Sequence, residues 1–394
     1  MNILLVGGNT TNKGAYLMLL AAKDLASKKF PNADFILPPS VAGKDILREE
    51  GFSFLDYPLF HVGTGNRLFS LAIKYPFITK LLLKYGKGRS LVGDISLKDI
   101  NLVLDVSGFA FGDKFGLTPL LNLKKQVNFF KKRNIPYIIL PQALGPFSGN
   151  NKKAAYAAFK NIDLIFARDK ISYQNLINLE LPLDKCQQSS DITLSLSTKK
   201  KLPERFLAIK PYGTIVPNIR MLDKADESWK KNYENALINC VNIILSKSSR
   251  NILILVHSTT LGGDADLADR IYNNFSGNDR VYLDTDENPL VLKKILKDSD
   301  FLIGSRFHAL ASALSSSTPS IGTSWLHKYE MLFEEYGIKE YSFANYNSNF
   351  EAKVGKLVES NNLLSSIENR LEKKNVLLQE TNSKLWDLIS NKLS

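Results

Sequence analysis

The chain has 394 residues, 44% of them apolar, with two cysteines and a formal net charge of +12. That length serves two domains of ordinary size with full cores, and two cysteines exclude a disulfide framework and a thiolate zinc site. No run approaches the roughly 18–20 apolar residues of a membrane span, and the positive balance points to anionic partners.

The chain opens with MNILLVGGNT, which lacks a basic flank and a small-residue cleavage site. It reads as a first strand rather than a signal peptide, so the expected location is cytoplasmic. The following VGGNTTNKG matches neither the Walker pattern nor G-x-G-x-x-G, and reads as a strand-to-helix turn that uses Gly for backbone reasons. ADFILPP is a further strand. From Tyr57 to Gly93 there is no Asp or Glu, while Arg67, Lys74, Lys80, Lys84, Lys87 and Arg89 all fall there among Leu, Ile and Phe. Pro76 divides this stretch into two short amphipathic pieces. They read either as an insert packed on the N-terminal domain or as a patch for an anionic membrane surface.

Apolar, β-branched runs then follow in the order NLVLDVSG, YIILPQ, DLIFARD, FLAIKP, NILILVHS, DFLIGSR and PSIGTS, separated by helix-length amphipathic segments. Strands alternating with helices predict βαβ units and doubly wound parallel sheets. The series pauses at LSTKKKLPER, which places an N-terminal α/β domain at 1–197 and a second at 204–345. The tail, 346–394, carries Leu357, Leu364, Leu371, Leu378 and Leu385 at seven-residue spacing, an amphipathic helix or pair. It serves packing against the two domains, oligomerisation or membrane contact; the oligomeric state is open.

Ligands of open α/β sheets bind beyond the carboxyl ends of the strands. The residues expected there are Asp105, Ser107, Gln142, Arg168, Lys210, His257, Arg306 and His308. Two arginines, a lysine and two histidines suit an anionic ligand. Asp169 next to Arg168 is either its ion-pair partner or a helix cap. Arg306 and His308 lie two apart and share one side of an extended segment, so both can meet one ligand where the turn is not yet helical. The helix that starts there adds free N–H groups and a positive dipole end. Arg grips a phosphate or carboxylate through two parallel bonds, and His holds or delivers a proton near neutral pH.

An ordered set of segments resembles the polysaccharide pyruvyl transferase family: NTTNKGAYLML, DVSGFAFGD, PQALGPF, FARDKISYQNL, SDITLSL and GSRFHALASALSSSTPSIGTSWLHKYEMLFEEYGI, together covering about residues 1–345. The resemblance implies two Rossmann-like domains facing a cleft, similar in architecture to GT-B glycosyltransferases. It implies transfer of the carbon skeleton of phosphoenolpyruvate to two hydroxyls of a sugar, forming a pyruvate ketal. Arg306 and His308 match the family's Arg-x-His element, Arg168 its Arg-Asp element, and Asp105 more loosely its acidic position before a Gly-containing turn. On this reading Arg168, Arg306, Lys210 and His257 bind phosphoenolpyruvate. His308 is the acid, Asp105 the base, and Ser107 and Gln142 meet the acceptor. Neither cofactor nor metal is required. The family's surface-polysaccharide role implies an acceptor carried on polyprenyl diphosphate, and visits to the inner membrane face.

Two departures bear on the acceptor: Tyr16 follows the KGA element, and the turn often written S-G-G-G is SGFAFG. The rival readings are a GT-B glycosyltransferase using a nucleotide sugar and a catalytically silent protein that binds an anionic glycan or lipid. No nucleic-acid-binding module is recognised.

Overall fold

The structure is a computed structural model that describes residues 1–56, 94–257, 263–286 and 288–393. The acid-free basic stretch, with its proposed membrane patch, lies outside the described residues. The chain divides into two compact units, one of residues 1–192 with 380–394, the other of residues 193–379.

The first unit is built on a parallel sheet of β1 (Asn2–Val6), β2 (Asp34–Leu37), β3 (Ser53–Phe54), β4 (Leu102–Asp105), β5 (Tyr137–Gln142), β6 (Leu164–Ala167) and β7 (Cys186–Gln188). Their spatial order is β3-β2-β1-β4-β5-β6-β7. Ile3 registers with Phe35 on one side and with Leu102 on the other, so β1 is where the order reverses. Every residue of β4, β5 and β6 is buried, as expected of parallel strands covered on both faces. Helices Lys13–Lys29 and Leu117–Lys131 supply cover, the latter through Leu120, Leu123, Val127 and Phe130. Each such side chain stabilises the fold by about 1.5–3 kcal/mol relative to exposure.

The second unit repeats the plan with β8 (Tyr212–Val216), β9 (Asn251–Val256), β10 (Val281–Thr285), β11 (Leu302–Gly304), β12 (Ser320–Thr323) and β13 (Ser342–Phe343), ordered β10-β9-β8-β11-β12-β13. All pairings are parallel, and the reversal falls between β8 and β11, where Ile215 registers with Ile303. Helix Glu227–Lys247 buries Trp229, Tyr233, Leu237, Val241 and Ile244 in its core.

The leucine-spaced tail is a pair of helices, Asn349–Glu359, which carries Leu357, and Asn361–Leu393, whose residues are divided between the units after Gln379. Leu364, Leu371 and Leu378 belong to the second unit's core. Leu385, Trp386 and Ile389 are buried in the segment that belongs to the first unit. Among the described residues no helix is long and apolar enough to cross a membrane.

Candidate functional site

The strongest cluster sits at the order reversal of the second sheet, beyond the carboxyl ends of β8 and β11. Ser305 follows β11 and is fixed at every polar atom. Its N–H donates to the Val216 carbonyl at 3.2 Å. Its carbonyl accepts from Asn218 Nδ2 at 2.7 Å and from the Tyr329 hydroxyl at 3.0 Å. Its hydroxyl meets those of Tyr233, at 2.5 Å, and Thr323. Burial pushes the Tyr233 phenol well up and the Tyr329 phenol up to about 12, so both stay protonated as hydrogen-bond donors.

Arg306 comes next, in extended conformation, as the capping residue of helix Phe307–Leu314. An arginine cannot accept a hydrogen bond, so the side chain of Arg306 does not cap this helix start. Asp264, fully buried at the start of helix Asp264–Asn273, takes up the guanidinium from below. Arg306 Nε donates to Oδ2 at 2.6 Å, Nη2 donates to Oδ1, and Oδ1 also accepts from the Ile219 N–H at 3.0 Å. The Arg306 side chain remains 25% exposed. His308 is half-exposed in the first helical turn, with the Phe307 ring edge-on to it at 5.4 Å. The turn is therefore extended at Arg306 and helical by His308. Positive charge, a helix start and an imidazole together suit an oxyanion that takes part in proton transfer.

A family model for polysaccharide pyruvyl transferase matches residues 12–327, a span that holds this cluster. The chain belongs to that family. No curated protein matches the sequence. Among solved structures, the chain is similar to UDP-GlcNAc 2-epimerase from Neisseria meningitidis bound to UDP-GlcNAc. The identity is 14%, with coverage of 100% of this chain and 99% of that one and a TM-score of 0.61. It is also similar to HepE of Anabaena in complex with UDP and glucose, at 13% identity, 99% and 100% coverage and a TM-score of 0.59. At such identities the likeness concerns the fold, two parallel-sheet α/β units of GT-B-like type.

The first unit places Asp105, Ser107, Gln142 and Arg168 at the carboxyl ends of β4, β5 and β6. Gly7 at the end of β1 has φ +87°, and a Cβ there would strike Ser107, so glycine permits this close approach. Asp105 is 1% exposed. Its carboxylate accepts from the Ser107 N–H at 2.9 Å, the Tyr137 hydroxyl at 2.7 Å and Gln142 Nε2 at 3.4 Å. Burial raises its pKa, against the opposing pull of these donors. Gln142 is fully buried, and its Oε1 has no hydrogen-bond partner among the described residues.

Arg168 is buried and donates to Asp191 Oδ2 at 2.9 Å; the two side chains are 7% and 2% exposed. Asp169 instead caps helix Lys170–Ile177 through the Ser172 N–H at 2.7 Å. Asp191 lies in the SDITLSL segment, which therefore contributes the partner of Arg168.

One placement is corrected. FLAIKP is not a strand: helix Glu204–Leu207 follows Pro203, and β8 begins only at Tyr212. Lys210 thus precedes the strand, at the amino end of the strands and opposite the end that carries Arg306, where it pairs with Asp298 at 3.6 Å. It is not among the strand-end cations. His257 does follow β9 directly and is 6% exposed.

Sequence reading missed Asp264, Asn218, Tyr233 and Tyr329. Asp264 stood 42 residues from the arginine it holds, with no local spacing to link them.

Proposed function

We propose that this protein transfers the pyruvyl group of phosphoenolpyruvate to two hydroxyls of a sugar residue, closing a pyruvate ketal during surface polysaccharide synthesis. The observation that carries the reading is the Arg306 guanidinium, held by Asp264 at a helix start with His308 two residues on. Phosphoenolpyruvate presents a phosphate and a carboxylate on one small frame. Arg306 and the helix start would bind one of these oxyanions. Protonation of C3 makes C2 electrophilic, one hydroxyl adds to C2, the C2–O bond to phosphate breaks, and the second hydroxyl closes the ring. The products are the ketal and inorganic phosphate. His308 is the proposed acid, at C3 or at the leaving phosphate. His257, buried after β9, joins Arg306 in the proposed cationic set; Arg168, clasped by Asp191, is proposed as a tie of the first unit, and Lys210 no longer belongs to the set.

Ser107 and Gln142 remain the proposed acceptor contacts. With its carboxyl 1% exposed and three donors on it, Asp105 is better placed to hold the Ser107 turn than to take a proton from a sugar hydroxyl. The acid-free stretch from Tyr57 to Gly93 supports an acceptor carried on polyprenyl diphosphate and reversible binding at the inner membrane face.

The test is phosphate release from phosphoenolpyruvate with free and lipid-linked sugar acceptors. His308→Gln is expected to lower turnover on the order of a hundredfold while keeping the wild-type melting temperature. Turnover of a nucleotide sugar, with none of phosphoenolpyruvate, would replace this reading with glycosyl transfer.

A further inference from the structure

We infer that Asp264 is a positioning residue that aims Arg306 at its ligand and tunes how strongly the site holds simple anions. The inference rests on the reading of Arg306 as the donor-binding arginine. The backbone before Arg306 has no freedom, because Ser305 is bonded through its N–H, its carbonyl and its hydroxyl. What remains is rotation of the long arginine side chain. Asp264 removes it by gripping the guanidinium side-on, through Nε and Nη2. A side-on grip leaves the end-on edge, Nη1 and the second hydrogen of Nη2, in the fork geometry that fits a carboxylate or phosphate.

The carboxylate itself is well held. It is fully buried, it accepts the Ile219 N–H at 3.0 Å, and it opens helix Asp264–Asn273, where the dipole favours negative charge. Asp264 therefore does two things at once. It orients the guanidinium, and it offsets part of its charge. Any small anion is then held less tightly than by a bare arginine, while a ligand in the right pose still meets a fixed fork.

The two effects predict a split that a merely structural aspartate would not give. In Asp264→Asn, the Kd for inorganic phosphate, measured by calorimetry on the full chain, should stay within about threefold of wild type or tighten. Turnover of phosphoenolpyruvate should fall roughly ten- to hundredfold, the scale of a misplaced reacting group. Asp264→Glu keeps the charge but shifts it by a methylene, and should recover part of the turnover. Unchanged turnover in Asp264→Asn would overturn the inference. So would phosphate binding weakened more than tenfold, or a lowered melting temperature in both variants, since each makes Asp264 a support of the fold. If the wild type binds phosphate but never turns over phosphoenolpyruvate, the donor reading fails; the phosphate Kd of Asp264→Asn still decides whether Asp264 tempers Arg306.

Discussion

Each unit has an arginine just beyond a strand end with an aspartate as partner, but the two pairs are buried differently. In the first unit Arg168 is 7% exposed and Asp191 2%; in the second, Arg306 is 25% exposed over a fully buried Asp264. A pair buried at both ends is a clasp: its charges cancel in a place that solvent and ligand do not enter. A pair buried only at its carboxylate presents a cation. The same pairing of arginine and aspartate thus gives a buried tie in one unit and a partly exposed cation in the other.

The largest effect expected from this contrast is on stability. Asp191→Asn would leave Arg168 buried beside a neutral partner, which costs about 3–5 kcal/mol in comparable buried pairs. Urea unfolding measures it, and a loss below about 1 kcal/mol would mean that the first-unit pair is no clasp. Arg306→Lys should instead spare the melting temperature and lower kcat/KM for phosphoenolpyruvate by roughly 2–4 kcal/mol of transition-state stabilisation, because an ammonium cannot reproduce the fork. Equal kinetics in the variant would remove the second-unit arginine from the donor site.

The smallest effect concerns Asp105, whose folded-state pKa is raised by burial. A raised acid pKa favours the protonated folded state. Its contribution is full below the ordinary carboxylate value of about 4 and is lost as pH rises to the raised value. Asp105→Asn does not titrate, so its stability relative to wild type should climb from about pH 4 upwards and then level off. A difference independent of pH would show that this carboxyl titrates normally and that the first-unit cluster is not sealed.

Much of the architecture was legible, and for a physical reason. Long apolar runs such as YIIL and ILILV are what a parallel strand buried on both faces requires. VYLDT was not legible because β10, at the end of its sheet, buries only Val281 fully and so shows no continuous apolar run. FLAIKP misled because a short apolar run does not distinguish strand from helix; Pro203 just before Glu204 was the cue for a helix start. At the site, Arg306 and His308 stood out through local spacing. Their support did not: Asp264, Asn218 and Tyr233 are brought in by other strands and helices, and only the sheet order makes them neighbours.

The division of the last helix has a consequence for the order of synthesis. The first unit starts the chain, yet it includes Glu380–Ser394. There Asn382 accepts from the Ser189 hydroxyl at 3.1 Å, Asp387 pairs with Lys29 at 2.7 Å, and Leu385, Trp386 and Ile389 are buried. While the ribosome adds residues 193–379, the earlier unit waits with that apolar seat open, and it closes only once residues 380–394 have been added. A chain cut just before Glu380 would therefore have all the residues of its second unit while its first exposes a greasy groove, a natural substrate for chaperones and proteases.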